Sequence, residues 1–248
     1  MQGKKAGFTL IEMAIVLVII GIILAGVMKG RDIVRGAQVK QFSQGFAQKW
    51  QTMANTYYDK LGQQFADGSS NGGSGSGAGG GTPTGYMDGL WMDARGPAFK
   101  ATALQAMRDV GITPCTLIKS DLEDDNGTTS CSNNYNIWAR TVEGEFAGRS
   151  RVAVGTHSLI LGTGGPIRNC ITFRNVPVDV AKGLDTLVDG TADGVVGSCL
   201  CVRQQGTTAD AQTSTAPWHN TEQQAVTPVD WGTASNGELC TVALVLDY

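Results

Sequence analysis

Three patterns of hydrophobic and polar residues follow one another along this chain. From Phe8 to Met28 the sequence FTLIEMAIVLVIIGIILAGVM is apolar on every helical face, and its one charge is Glu12. About 20 such residues cross a bilayer as a helix, so a membrane-spanning helix is expected over 8–28. From Val39 the pattern becomes one-sided. Val39, Phe42, Phe46, Trp50, Met53, Tyr57, Leu61 and Phe65 recur at steps of three or four, the stripe of an amphipathic helix. No proline interrupts 8–66, which predicts one helix of ~59 residues, about 90 Å long. That is too long for a compact domain, so the second half is read as a stem, 29–66, supporting a head.

The third pattern starts with a break. Residues 68–85 contain nine glycines and four serines, a flexible composition spanning roughly 25 Å, and 67–85 is read as a linker. Residues 86–248 form the head. Pro97–Val110 has a helix-start proline and ends before Gly111, and Val176–Val188 carries Pro177 in its first turn and stops at Asp189-Gly190. The apolar face of that second helix is expected at Val180, Leu184, Leu187 and Val188. Short β-like runs lie at 136–142, 151–154, 157–161, 170–173, 199–203 and 239–246, the last apolar enough to be buried on both faces. The fold class is α+β: a long N-terminal helical stem, then a disulfide-containing head with an antiparallel sheet and short helices.

Charge sharpens the division. Residues 1–60 carry eight Lys/Arg against three Asp/Glu, whereas 61–248 carry eleven against nineteen. The basic residues flank the apolar run, so lipid headgroups suit them better than nucleic acid, and no specific nucleic acid is expected. Six cysteines, Cys115, Cys131, Cys170, Cys199, Cys201 and Cys240, all lie beyond residue 110. An even count in one region fits disulfides formed in an oxidising compartment, with connectivity left open.

The N-terminal segment departs from a secretory signal peptide. Its charged leader is seven residues long, and the small residue Gly7 precedes the apolar run instead of following it. Lys4 and Lys5 place the extreme N-terminus in the cytoplasm, although Lys29, Arg31 and Arg35 beyond the span pull the other way. A carboxylate within a membrane segment is expensive and points to function.

Lys4-Lys5-Ala6-Gly7 followed by Phe8-Thr9-Leu10-Ile11-Glu12 resembles the prepilin leader and mature start of type IV pilins and type II secretion pseudopilins. The resemblance is strong over 1–36. It implies a leader at 1–7, cleavage after Gly7 by a prepilin peptidase, and methylation of the new amino terminus on Phe8. It also implies that Glu12 meets the Phe8 amine of a neighbouring subunit during assembly. Many pilins carry a proline where Lys29 stands, so a kink there is not implied, although Gly21, Gly26, Gly30 and Gly36 could soften the helix.

The implied protein is a non-enzymatic structural subunit, a major or minor pilin of a type IV pilus polymerised through its N-terminal helix. A type II secretion pseudopilin and a tip adhesin on a pilin stem are the alternatives. Implied partners are copies of itself or co-pilins, the peptidase, the pilus or secretion assembly machinery, and inner-membrane lipid. The subunit would be single-pass with a periplasmic head, then part of an extracellular fibre.

Other chemistry is thin. No cofactor is expected, calcium being the weak exception. Asp121, Glu123 and Asp125 lack the closing Glu of an EF-hand loop, and Asp185, Asp189 and Asp193 align only if their helix continues past Gly190. Neither His157 nor His219 sits in a metal or triad motif.

Overall fold

The computed structural model describes residues 10–73, 81–91, 97–118, 136–162, 164–205, 224–233 and 238–246. The chain divides into two compact units, Met1–Gln38 and Val39–Tyr248.

Helix α1 runs Leu10–Phe42, a π-helical turn occupies Ser43–Ala47, and α2 continues over Gln48–Leu61. The predicted helix therefore ends five residues early. Gly62 takes the left-handed conformation, φ 64°, and its N–H caps the Tyr58 carbonyl, a glycine stop of the usual kind. Phe65 instead returns from the turn beyond it, its ring 5.6 Å from that of Tyr57. The π turn has a reason in the stripe. Phe42, Phe46 and Trp50 are spaced by four, and each such step overshoots an α-helical turn by about 40°. A wider turn takes up the drift, and all three side chains are buried.

They face a sheet made of β1 (Leu90–Trp91), β2 (Ala139–Gly144), β3 (Gly148–Leu161), β4 (Ile167–Pro177), β5 (Cys199–Gln205), β6 (Gln224–Val226) and β7 (Leu239–Val245). The main order is β1-β3-β4-β7-β5, and β2 and β6 also pair with β3. All pairings are antiparallel except the short β3–β6 ladder. The runs expected at 151–154 and 157–161 are one strand, β3. It pairs with β4 along one edge and with β2, β1 and β6 in turn along the other.

One face of this sheet meets the helical stripe. Phe173 of β4 lies edge-on to Phe42 and tilted against Phe46, with ring centroids at 5.9 and 5.7 Å. Trp50 stacks on Trp138 at 5.1 Å and donates its indole N–H to the Ile137 carbonyl, satisfying the polar handle that a buried Trp brings. On the opposite face Leu159, Cys170, Leu200, Val202, Val226, Ala243 and Val245 form a second, smaller cluster. Strand β7 contributes to both clusters, as its unbroken apolar sequence predicts.

Three further helices close the unit: α3 (Pro97–Asp109), the short α4 (Pro114–Leu117) and α5 (Val178–Asp189). The buried face of α5 is Val178, Val180, Ala181, Leu184 and Asp185, while Leu187 is exposed. Gly183 brings α5 against α1, for a methyl group there would collide with the Val39 side chain.

The described flanks of the glycine-rich stretch are tied into the same unit. The buried Asp67 carboxylate accepts the Thr84 and Gly85 N–H groups, both at 2.7 Å. Asn169 of β4 then accepts the Met87 N–H and donates to the Gly85 carbonyl, both at 3.1 Å. Tyr57 donates to Asn71 at 3.0 Å. Burial and the nearby Asp109 push its hydroxyl pKa up to about 12, so it stays a donor at neutral pH.

The Gly183 contact yields a prediction. Alanine is the better helix former by about 1 kcal/mol, yet overpacking a filled contact typically costs 1–3 kcal/mol. Gly183→Ala should lower the unfolding midpoint of the detergent-solubilised chain by roughly 2–6 °C, and Gly183→Leu by more. A rise in the midpoint would show that α5 is free to move away.

Candidate functional site

The described part of the N-terminal unit begins at Leu10. The processing residues Gly7 and Phe8, with Lys4 and Lys5, lie outside the described residues. Within α1 the apolar side chains from Leu10 to Val34 are exposed all round: Leu10 is 90%, Ile22 68% and Met28 69% accessible. A helix apolar on every face is one made for a non-aqueous surrounding. This one is long and apolar enough to cross a membrane. It also runs unbroken through Lys29 and through Gly21, Gly26 and Gly30, so the glycines do not interrupt it. A β-carbon at any of those three would meet nothing within 4 Å.

Glu12 occupies the first turn of α1 and is exposed among Leu10, Ile11 and Met13. The segment thus combines one polar, ionisable position with an otherwise uniform apolar surface. Such a surface can slide or rotate against a similar one at little cost, and a single ionisable group removes that degeneracy.

The acidic residues in the last turns of α5 and just beyond it do different work. Gly190 is left-handed, φ 83°, and ends the helix as predicted. The loop then folds back beneath it. Asp185 accepts the Asp193 and Gly194 N–H groups at 3.0 and 2.9 Å and the Trp231 indole N–H at 2.6 Å. Asp189 takes the Ser198 and Cys199 N–H groups at 3.0 and 2.8 Å. Asp193 takes those of Val195 and Val196. The three carboxylates considered for calcium are therefore staples for backbone donors. Among the described residues no group of three or more His, Cys, Asp and Glu is placed to hold a metal ion. Asp121, Glu123 and Asp125 lie outside the described residues, as does His219. His157 is buried in β3, its Nδ1 2.7 Å from the Thr172 hydroxyl.

Sequence reading missed the Trp231 and Asp67 anchors. Both bind across long sequence separations to donors or acceptors that leave no local pattern. An Asp bordering a glycine-rich run was the one visible hint.

The cysteines depart from an all-bridged set. Cys170, Cys199, Cys201 and Cys240 are buried thiols outside any disulfide, and no disulfide joins two described cysteines. Cys115 is disulfide-bonded, and Cys131 lies outside the described residues. Three bridges cannot be made from this arrangement, because Cys170 belongs to the opposite face of the sheet from Cys199, Cys201 and Cys240.

Burial raises the Asp185 carboxyl pKa, an effect that its three donors only partly offset. The folded chain therefore holds a proton that the unfolded chain releases. Stability from this group is present at low pH and is lost as pH rises from the ordinary carboxylate value through the raised one. Asp185→Asn removes the titration. Between about pH 7 and pH 4, the midpoint of the wild-type chain should rise relative to that of the Asn variant. Parallel curves would contradict this.

Residues 2–28 match the family described as the prokaryotic N-terminal methylation motif. No curated protein and no solved structure matches the chain significantly. The motif is of the prepilin type, characteristic of type IV pilins and pseudopilins. It implies processing by a prepilin peptidase and assembly by pilus or secretion machinery, and proteins of this kind are typically non-enzymatic and structural. Over residues 2–28 the chain is thus similar to type IV pilins and pseudopilins, and an exposed apolar helix runs on from that segment.

Proposed function

We propose that this protein is a structural subunit, major or minor, of a type IV pilus. The observation that carries the reading is the methylation motif at 2–28 on a helix that is exposed and apolar to Val34. In this reading the peptidase cuts after Gly7 and the methylated Phe8 becomes the N-terminus. The subunit waits in the inner membrane with its head in the periplasm. It then leaves the bilayer for a fibre core built from the same helices of its neighbours. Both surroundings are apolar, so the transfer changes little in hydrophobic free energy. Its direction and register come from charge. Glu12 pairs with the Phe8 ammonium of an adjacent subunit, and a slipped neighbour leaves both ions in an apolar interior.

The size of the unit after residue 38 and its glycine-rich insert favour a pilus over the short periplasmic assembly of a secretion system. That system shares the N-terminal signal, and electron microscopy separates the two. Sheared surface material should contain long fibres in which mass spectrometry identifies this chain beginning at methylated Phe8. Fibres lacking the chain, with loss of protein secretion in its deletion strain, would support the pseudopilin reading instead.

Glu12 supplies the sharper test. Removing one partner of a buried ion pair costs about 3–5 kcal/mol, and each ~1.4 kcal/mol is tenfold in an equilibrium. Glu12→Ala should insert in the membrane and be cleaved normally, while fibre yield falls at least tenfold. Undiminished fibres would remove the pairing role.

A further inference from the structure

We propose that the tip of the β2–β3 hairpin is a lipid-contact site, which places Phe146 in the headgroup layer of the bilayer that α1 spans. Every other aromatic side chain described from Val39 onward is buried or half-buried, whereas Phe146 is 57% accessible. A single exposed apolar side chain is ordinary on a protein surface. The support beneath this one and its place in the unit set it apart.

The tip is built rigidly. Gly144 pairs with Gly148, and Gly148 takes the left-handed conformation, φ 68°, which lets Glu145, Phe146 and Ala147 close the turn. The Glu145 N–H is accepted by the Asp179 carboxylate at 2.9 Å. Gly144 lies so close to Pro177 and Asp179 that a methyl group there would strike both. The hairpin is therefore clamped to the first turn of α5, and Phe146 is presented from a fixed base.

Position follows from α5. Gly183, one turn beyond Asp179, packs on Val39, the first residue of its unit. The tip thus lies at the end of the unit where the chain enters it. Lys29, Arg31 and Arg35 follow the apolar run of α1, and long basic side chains settle at headgroup level. From Arg35 to Val39 there are four residues, at most about 14 Å of chain. Whatever the inclination of the unit, its entry end is tethered that close to the headgroup layer.

The chemistry of the tip suits that layer. An aromatic ring at this depth buries apolar surface between the headgroups and the first acyl carbons. Arg149 and Arg151 are exposed beside it, and so are Glu143 and Glu145. These four charges cancel, so the tip holds lipid by its ring and not by lipid charge. The contact gives the unassembled subunit a second point of attachment besides α1, one that is released when the subunit leaves the bilayer.

The proposal depends on α1 spanning a membrane, and one experiment reads both. Full-length chain is placed in phosphatidylethanolamine–phosphatidylglycerol vesicles, dilute enough to keep copies apart. A trace of phospholipid carrying a diazirine near the top of its acyl chain is photolysed, and tryptic peptides are mapped for the lipid adduct. Label is expected in the peptide that ends at Lys29 and in Thr141–Arg149, which carries Phe146. Label in the first without the second would overturn the tip contact and leave the span standing. Label in neither would overturn both. Phe146→Ser should lower labelling of Thr141–Arg149 by at least roughly threefold, with the unfolding midpoint of the solubilised chain unchanged. Undiminished labelling would remove the role of the ring. Phe146→p-benzoylphenylalanine identifies the occupant directly. A lipid adduct is expected on irradiation, and a covalent chain dimer in its place would assign the tip to a second copy and overturn the proposal.

Discussion

Burying Phe42, Phe46, Trp50, Met53 and Tyr57 along a single line requires the stem helix to stay in register with its partner sheet over about four turns. A regular α-helix does not hold such a line, because residues spaced by four drift around its axis. The π turn at Ser43–Ala47 corrects the drift where the spacing is widest. The sheet then supplies Phe173, and Trp138 stacks from the segment just before β2. Removing a core aromatic of this kind typically costs 3–5 kcal/mol, a large share of the stability of an ordinary domain. The other fastenings hang on this contact. Gln51 reaches the Val245 carbonyl and Lys60 the Val110 carbonyl, from the flanks of the same helix.

Periodicity made most of this stripe visible in the sequence, because a helix writes its buried face at short, regular spacing. The end of the helix was less visible. Leu61 and Phe65 continue the spacing, and only the backbone freedom of Gly62 decides that the chain turns. Individual strands could be read from apolar runs, but β3 was read as two because Gly155-Thr156 breaks its run. Both residues keep their place in the ladder opposite Thr172 and Ile171. Strand order was out of reach, since β4 lies beside β7 through contacts more than sixty residues apart.

The functional segment shows the opposite balance. The methylation motif at 2–28 is legible from sequence alone, because a local string carries it. Geometry adds that its helix is exposed, apolar and uninterrupted through Lys29. Acidic residues of the head mislead for the same reason that they matter. Asp185 and Asp189 lie in the last turns of α5 and Asp193 in the loop that follows. What they hold is the loop's own backbone, and N–H groups have no signature in a sequence.

Strand β7 comes after every strand it pairs with, yet it lies between β4 and β5 in the middle of the sheet. A chain made from its N-terminus cannot complete that sheet until residue 245 is available. Until then β4 and β5 present unpaired edges, and the helical stripe has only half of its floor. Unpaired edges of that kind are templates for foreign strands, so this sheet stays open to mispairing until its last strand is in place.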